Sequence, residues 1–171
     1  DVEGLANHGT ASVVGYQNDM GTFPTRNYTE GQFEGVELLK GETMTETILK
    51  RDDTCFSCAV RCKREVAIDG QVSVYGGPEY ETVGAFGPNC GINDLYAIAR
   101  ANELCNAYML DSISTGGTIA FAMECFEHGL IGLQDTGGWW SQAQRSSAAM
   151  PLRYVEAAKI ANQGVLLGER P

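Results

Sequence analysis

Cations are in short supply in this sequence. Twelve Lys and Arg face 22 Asp and Glu over 171 residues, a formal charge of −10. A sequence-independent binder of nucleic-acid phosphates needs the opposite balance, so that class is excluded. Long apolar runs are missing too, and no window approaches the ~18 residues of a membrane span. The opening residues show no basic stretch followed by an apolar one, so no signal peptide is expected. Nor does Met open the chain, which reads as a segment of a longer protein. Histidine is nearly absent: His8 and His128 stand alone. His128 falls at the end of a predicted helix, where a cation is favoured and a structural role suffices. His8 lies in a polar loop with no evident partner. No internal repeat is visible.

What is present is ordinary in bulk. Hydrophobic residues make up 43% and charged residues 20%, a globular composition rather than that of a disordered acidic tail. The length allows one domain with a real core, or two small ones. Cysteine is the exception. There are six, at positions 55, 58, 62, 90, 105 and 125. Cys55, Cys58 and Cys62 fall within eight residues. That spacing suits thiolates gathered on one metal or cluster better than long-loop disulfides, with plain free thiols as the remaining reading. Thiolate ligation needs a reducing interior, so the cytoplasm is expected. Cys90, Cys105 and Cys125 read as buried structural thiols.

The pattern is mainly helical. Residues 1–33 read as loop and turn, apart from a short element over Ala11–Tyr16. Thr43 with Glu46 predicts a capped helix over Met44–Lys50 that leads into the cysteine loop. Asp69-Gly70 between Glu65–Ile68 and Gln71–Tyr75 predicts a β-hairpin, because both turn residues must accept positive φ. Asp94–Met109 is helical, with Leu95, Ile98, Ala99, Leu104 and Tyr108 near one stripe and Asn93 or Asp94 as cap. A further helix runs from Ser114 or Thr115 to His128 and stops at Gly129. Trp139-Trp140 reads as buried aromatics or a partner-facing patch. Pro151–Leu167 predicts another helix.

Several segments together resemble the tungsten-dependent aldehyde:ferredoxin oxidoreductase family. They are Thr25-Arg26-Asn27-Tyr28-x-Glu30-Gly31-x-Phe33-Glu34-Gly35 and Cys55-x2-Cys58-x3-Cys62. They continue with Gly77-Pro78-Glu79-Tyr80-Glu81-Thr82, Gly87-x2-Cys90-Gly91-Ile92 and Asn106-x2-Met109-Leu110-Asp111-Ser112-Ile113-Ser114-x-Gly116. The resemblance implies a mainly α fold, a helical domain with one small β-hairpin, within a larger multidomain oxidoreductase. Residues 1–135 are expected to be part of its middle helical domain, and 136–171 a helical continuation. The missing N- and C-terminal domains belong to the same protein, and a homo-oligomer is compatible.

The resemblance also implies roles. Cys55, Cys58 and Cys62 correspond to three ligands of a [4Fe-4S] cluster, whose fourth comes from far downstream. Lys63 and Arg64 offset its charge or are plain solvated cations. Glu79 or Glu81, with Glu81 slightly preferred, stands near a tungsten (or molybdenum) bis-pterin and handles a proton. In an extended segment both would face one way; as surface carboxylates they would merely favour a helix N-terminus. Asn106, Leu110 and Asp111 belong to a pterin-binding motif, with Asn106 replacing an acidic residue and Met109 a glycine. The implied activity is oxidation of an aldehyde to a carboxylic acid, with electrons passed to ferredoxin. Alternatives are a tungsten-dependent benzoyl-CoA reductase-like subunit, or a non-catalytic iron–sulfur or interaction domain.

Overall fold

The computed structural model describes residues 2–135. The predicted helix over Pro151–Leu167 and the pair Trp139-Trp140 lie outside them. In chain order come α1 (Val2–His8), a 3-10 turn (Thr10–Val13), α2 (Val14–Asp19), a second 3-10 turn (Val36–Leu38) and α3 (Gly41–Thr47). Strands β1 (Leu49–Asp53), β2 (Lys63–Ile68) and β3 (Gln71–Val72) follow. Then come α4 (Tyr80–Phe86), a third 3-10 turn (Pro88–Cys90), α5 (Leu95–Ala107) and α6 (Ser112–Glu127). The described residues are mainly α with one small antiparallel sheet of order β1-β2-β3. Among them no helix is long and apolar enough to cross a membrane.

The expected hairpin is β2–β3. Ile68 pairs with Gln71, and Asp69 and Gly70 take φ of 52° and 77°. Both turn residues are therefore left-handed, as the right-handed twist of a two-residue hairpin demands. β1 adds a strand that the sequence reading did not anticipate. It pairs with β2 from Leu49↔Val66 to Asp53↔Lys63, with an irregularity between Leu49 and Arg51.

Three expectations are corrected. The helix predicted over Met44–Lys50 starts earlier and stops sooner, at Gly41–Thr47. Lys40, in an extended conformation, is its N-cap position; Thr43 instead donates to the Glu37 carbonyl at 2.6 Å. Leu49 and Lys50 are drawn off by the ladder with β2, a gain that local capping signals do not register. The stretch read as loop holds α1, and the short element expected over Ala11–Tyr16 is a 3-10 turn running into α2. Of Glu79-Tyr80-Glu81 only Glu79 is extended, as the N-cap position of α4; Tyr80 and Glu81 open the helix.

The core runs between the helices and the inner face of the sheet. Phe23, Leu39, Met44, Ile48, Val66, Val83, Phe86, Ile92 and Ile98 are its largest fully buried apolar side chains, with Val14. Alternation along β2 turns Arg64, Val66 and Ile68 inward. Helix α4 lies deepest, with Thr82 through Phe86 all buried. Helix α6 packs so close to α4 that a Cβ on Gly116 would lie 2.8 Å from the Ala85 Cβ. Carboxylates start the two long helices: Asp94 accepts from the Ala97 N–H at 3.1 Å, and Asp111 from the Ser114 N–H at 2.6 Å. Each satisfies an amide left unpaired by helix geometry.

Candidate metal centre and the polar seam beside it

The cysteines occupy the loop that joins β1 to β2. Asp53 pairs with Lys63, so the ladder closes the loop at its base. Within it the Cys58 N–H donates to the Cys55 carbonyl at 3.1 Å. The Thr54 hydroxyl lies 3.1 Å from that carbonyl and 2.8 Å from the Cys58 carbonyl. Ser57 and Arg61 take left-handed φ of 57° and 59°. Such residues are uncommon outside glycine and bend the chain sharply. All three thiols are free; Cys55 is exposed, and Cys58 and Cys62 are half-buried. Phe56 between them is fully exposed.

The two cations after the loop part company. Lys63 is exposed, a solvated side chain. Arg64 is only 5% exposed. Its Nη1 lies 3.0 Å from the Arg61 carbonyl and 2.9 Å from that of Lys63. Its Nη2 reaches the Leu5 and Ala6 carbonyls of α1 at 3.1 and 2.6 Å. The Asp52 carboxylate, half in solvent, stands 3.3 Å away. The Nε is buried without a hydrogen-bond partner. Gly9 makes this crossing feasible: its φ is +67°, and a Cβ there would lie 2.9 Å from the Cys62 carbonyl oxygen.

Glu79 lines the same shallow depression as His8, Thr10, Cys62 and Arg64. Thr10 holds it, donating from its hydroxyl to Glu79 Oε2 at 2.5 Å while accepting from the Tyr80 N–H at 2.8 Å. The Tyr80 ring turns inward and stacks on Phe23, with centroids 5.8 Å apart. Burial, reinforced by the neighbouring Glu81 carboxylate, pushes its phenol up. Glu81 is exposed. The two carboxylates thus differ in setting, one pinned and one in solvent. His8, read from sequence as partnerless, has its Nδ1 3.0 Å from the Thr45 hydroxyl.

One turn further along α4, the Thr82 hydroxyl lies 2.7 Å from that of Ser112, the first residue of α6. This bond joins the Glu79–Thr82 segment to the Asn106–Ser112 motif. In that motif Asp111 caps α6, and the Ser114 hydrogen bonds hold its carboxyl below the usual range. Asn106 turns back to donate to the Asn102 carbonyl at 2.8 Å. Leu110 packs against the core. The corner is a Schellman turn: the Leu110 N–H reaches the Cys105 carbonyl at 2.8 Å and the Met109 N–H that of Asn106 at 3.2 Å. Met109 occupies its left-handed position with φ 57° and is 93% exposed.

The remaining cysteines lie outside the loop. Cys90 and Cys105 are buried, and burial pushes their thiols up to about 12 and about 11. Cys125 is half-buried. The sequence reading missed Thr10 altogether and named Arg64 without seeing that it is buried. Thr10 carried no signal, because its partners are about seventy positions away. Arg64 did carry one: it shares the alternation of Val66 and Ile68.

The residues present fit three corners of an iron–sulfur cluster. Among the described residues no three His, Cys, Asp or Glu side chains converge on a point for a single ion. A cluster takes its thiolates at separate corners, and three free thiols on one closed loop are that donor set. The unpaired, buried Arg64 Nε beside Cys62 suits an anionic neighbour as well.

Residues 1–166 match the family model described as aldehyde ferredoxin oxidoreductase, domains 2 & 3. Over 135 residues the chain is 44% identical to the tungsten-containing aldehyde ferredoxin oxidoreductase of Pyrococcus abyssi, covering 79% of this chain and 22% of that protein. Its likeness to the protein of the same description from Thermococcus kodakarensis is 44% over 128 residues, 75% of this chain and 21% of that one. An aliphatic sulfonate oxidoreductase, WOR-like subunit, of Pyrococcus furiosus is 26% identical over 123 residues, 70% of this chain and 20% of its own length. The chain therefore spans about a fifth of the length of these relatives.

Proposed function

The chain belongs to the aldehyde ferredoxin oxidoreductase family, and from that premise we propose that it is part of an enzyme that oxidises an aldehyde. The reaction takes aldehyde and water to carboxylic acid, two protons and two electrons, with ferredoxin as acceptor. A tungsten (or molybdenum) bis-pterin and a [4Fe-4S] cluster supply the redox chemistry when bound. Residues 1–135 are part of the middle helical domain, 136–171 continue it, and the rest of the protein completes the site. A reducing cytoplasm is the matching compartment.

Each group on the seam has a task under this reading. Cys55, Cys58 and Cys62 hold three corners of the cluster. Asn106, Leu110 and Asp111 would hold the pterin, Asn106 through amide hydrogen bonds where charge is lacking. Glu81, exposed on the first turn of α4, takes or returns a proton. Glu79, pinned by Thr10, orients the same turn.

The observation that carries the proposal is the strand-closed loop with three free thiols, in a chain that matches the family along nearly its whole length. Removing the middle ligand tests it. Cys58→Ala in the full-length protein is expected to abolish the reduced-cluster signal in electron paramagnetic resonance and to lower bound iron. An unchanged spectrum would refute the ligand assignment.

A further inference from the structure

A buried guanidinium is costly unless its charge and its N–H groups are answered. Arg64 answers most of them with backbone. Two carbonyls come from the end of α1 and two from the cysteine loop. The loop carbonyls belong to Arg61 and Lys63, the residues on either side of Cys62. Carbonyls supply partial charge only. Among the described residues the one carboxylate within ion-pair distance, Asp52, is half in solvent and 3.3 Å away, so it neutralises the cation weakly; Glu79 lines the same depression without pairing to it. The Nε donor remains unanswered.

From this we propose that Arg64 is a positioning residue for the iron–sulfur cluster, bracketing the third ligand Cys62 and holding a permanent positive charge beside it. The inference rests on the ligand assignment above. Three consequences follow from the geometry. The guanidinium ties the carbonyls around Cys62 to α1, so the ligand cannot swing away without breaking both attachments. A planar fork does this where a lysine ammonium, a point donor, reaches fewer carbonyls. A cluster held by thiolates is anionic and becomes more so on reduction; a fixed cation favours the reduced form and raises its potential.

The test uses the full-length protein, prepared without oxygen, as wild type, Arg64→Lys and Arg64→Gln. Iron content, the potential of the cluster by redox titration, and the rate of iron loss to a chelator are measured. Arg64→Lys is expected to keep the wild-type potential and to lose iron several-fold faster. Arg64→Gln is expected to lose iron at least as fast, with the potential shifted to a more negative value. A purely structural arginine would not move the potential. A loaded Arg64→Gln protein with wild-type potential and release rate overturns the proposal. Should Arg64→Gln take up no iron, Arg64→Lys decides: faster release supports the role, and a wild-type rate overturns it. A wild type without iron overturns the ligand assignment as well, which separates the two failures.

Discussion

Met109 and Gly129 occupy the same place in two successive Schellman turns. Gly129 takes φ 70° after α6, with Leu130 bonded to the Cys125 carbonyl at 2.8 Å. Met109 takes φ 57° after α5 with equivalent bonds. A side chain in this region costs ~1–2 kcal/mol that glycine avoids, and an exposed Met recovers none of it by packing. Met109→Gly is expected to stabilise the protein by about 1 kcal/mol, read from the denaturant midpoint. Asp111, at the other side of the corner, gives a pH dependence. Its carboxyl lies below the ordinary aspartate value because it accepts from Ser114. Its contribution is full above that value and is lost as pH falls through the depressed folded value. Asp111→Asn, a comparable cap without charge, is expected to flatten acid denaturation in this window; an unchanged profile counts against the cap. The sequence reading started α6 at Ser114 or Thr115, two or three residues late. It did expose the cost of Met109, whose sign needs only the left-handed φ that the turn imposes.

At the scale of elements, legibility followed how local the determining forces are. The Asp69-Gly70 hairpin, α5 and α6 were readable because turn chemistry, caps and periodicity lie within each segment. The span of α3 was not, since β2 competes for Leu49 and Lys50 from well down the chain. The helical start at Tyr80 was hidden for a related reason: Thr10, far upstream, receives the Tyr80 N–H. Close helix contact was equally invisible. Gly116 reads as a poor helix former, yet a Cβ there would lie 2.7–2.8 Å from the backbone and Cβ of Ala85. Gly116→Ala gains ~1 kcal/mol of helix propensity, but α4 is buried and cannot yield. Overpacking of this kind costs ~1–3 kcal/mol, so the variant is expected to melt earlier in a thermal scan.

Across the whole molecule the six cysteines divide by environment. Cys55 is exposed and Cys58, Cys62 and Cys125 are half-buried, whereas Cys90 and Cys105 are buried with thiols pushed well above neutrality. Alkylation acts on exposed thiolate. In metal-free protein near neutral pH, Cys55 is expected to label first, and Cys90 and Cys105 only after denaturation; mass spectrometry of timed digests reads the order. The trio Cys55, Cys58 and Cys62 stood out in the sequence by spacing alone. The proximity of Cys62 to Glu79, and of Thr82 to Ser112, did not, because a three-dimensional seam assembled from separate segments leaves no periodic trace.

The ladder that closes the cysteine loop also bears on how such a protein matures. The segment from Leu49 to Val72 is continuous in sequence, so its pairing incurs little loop-closure entropy and can form early. On the function proposed above, the hairpin would then need no iron in order to fold, and the three thiols would be carried on a loop whose base the ladder already closes.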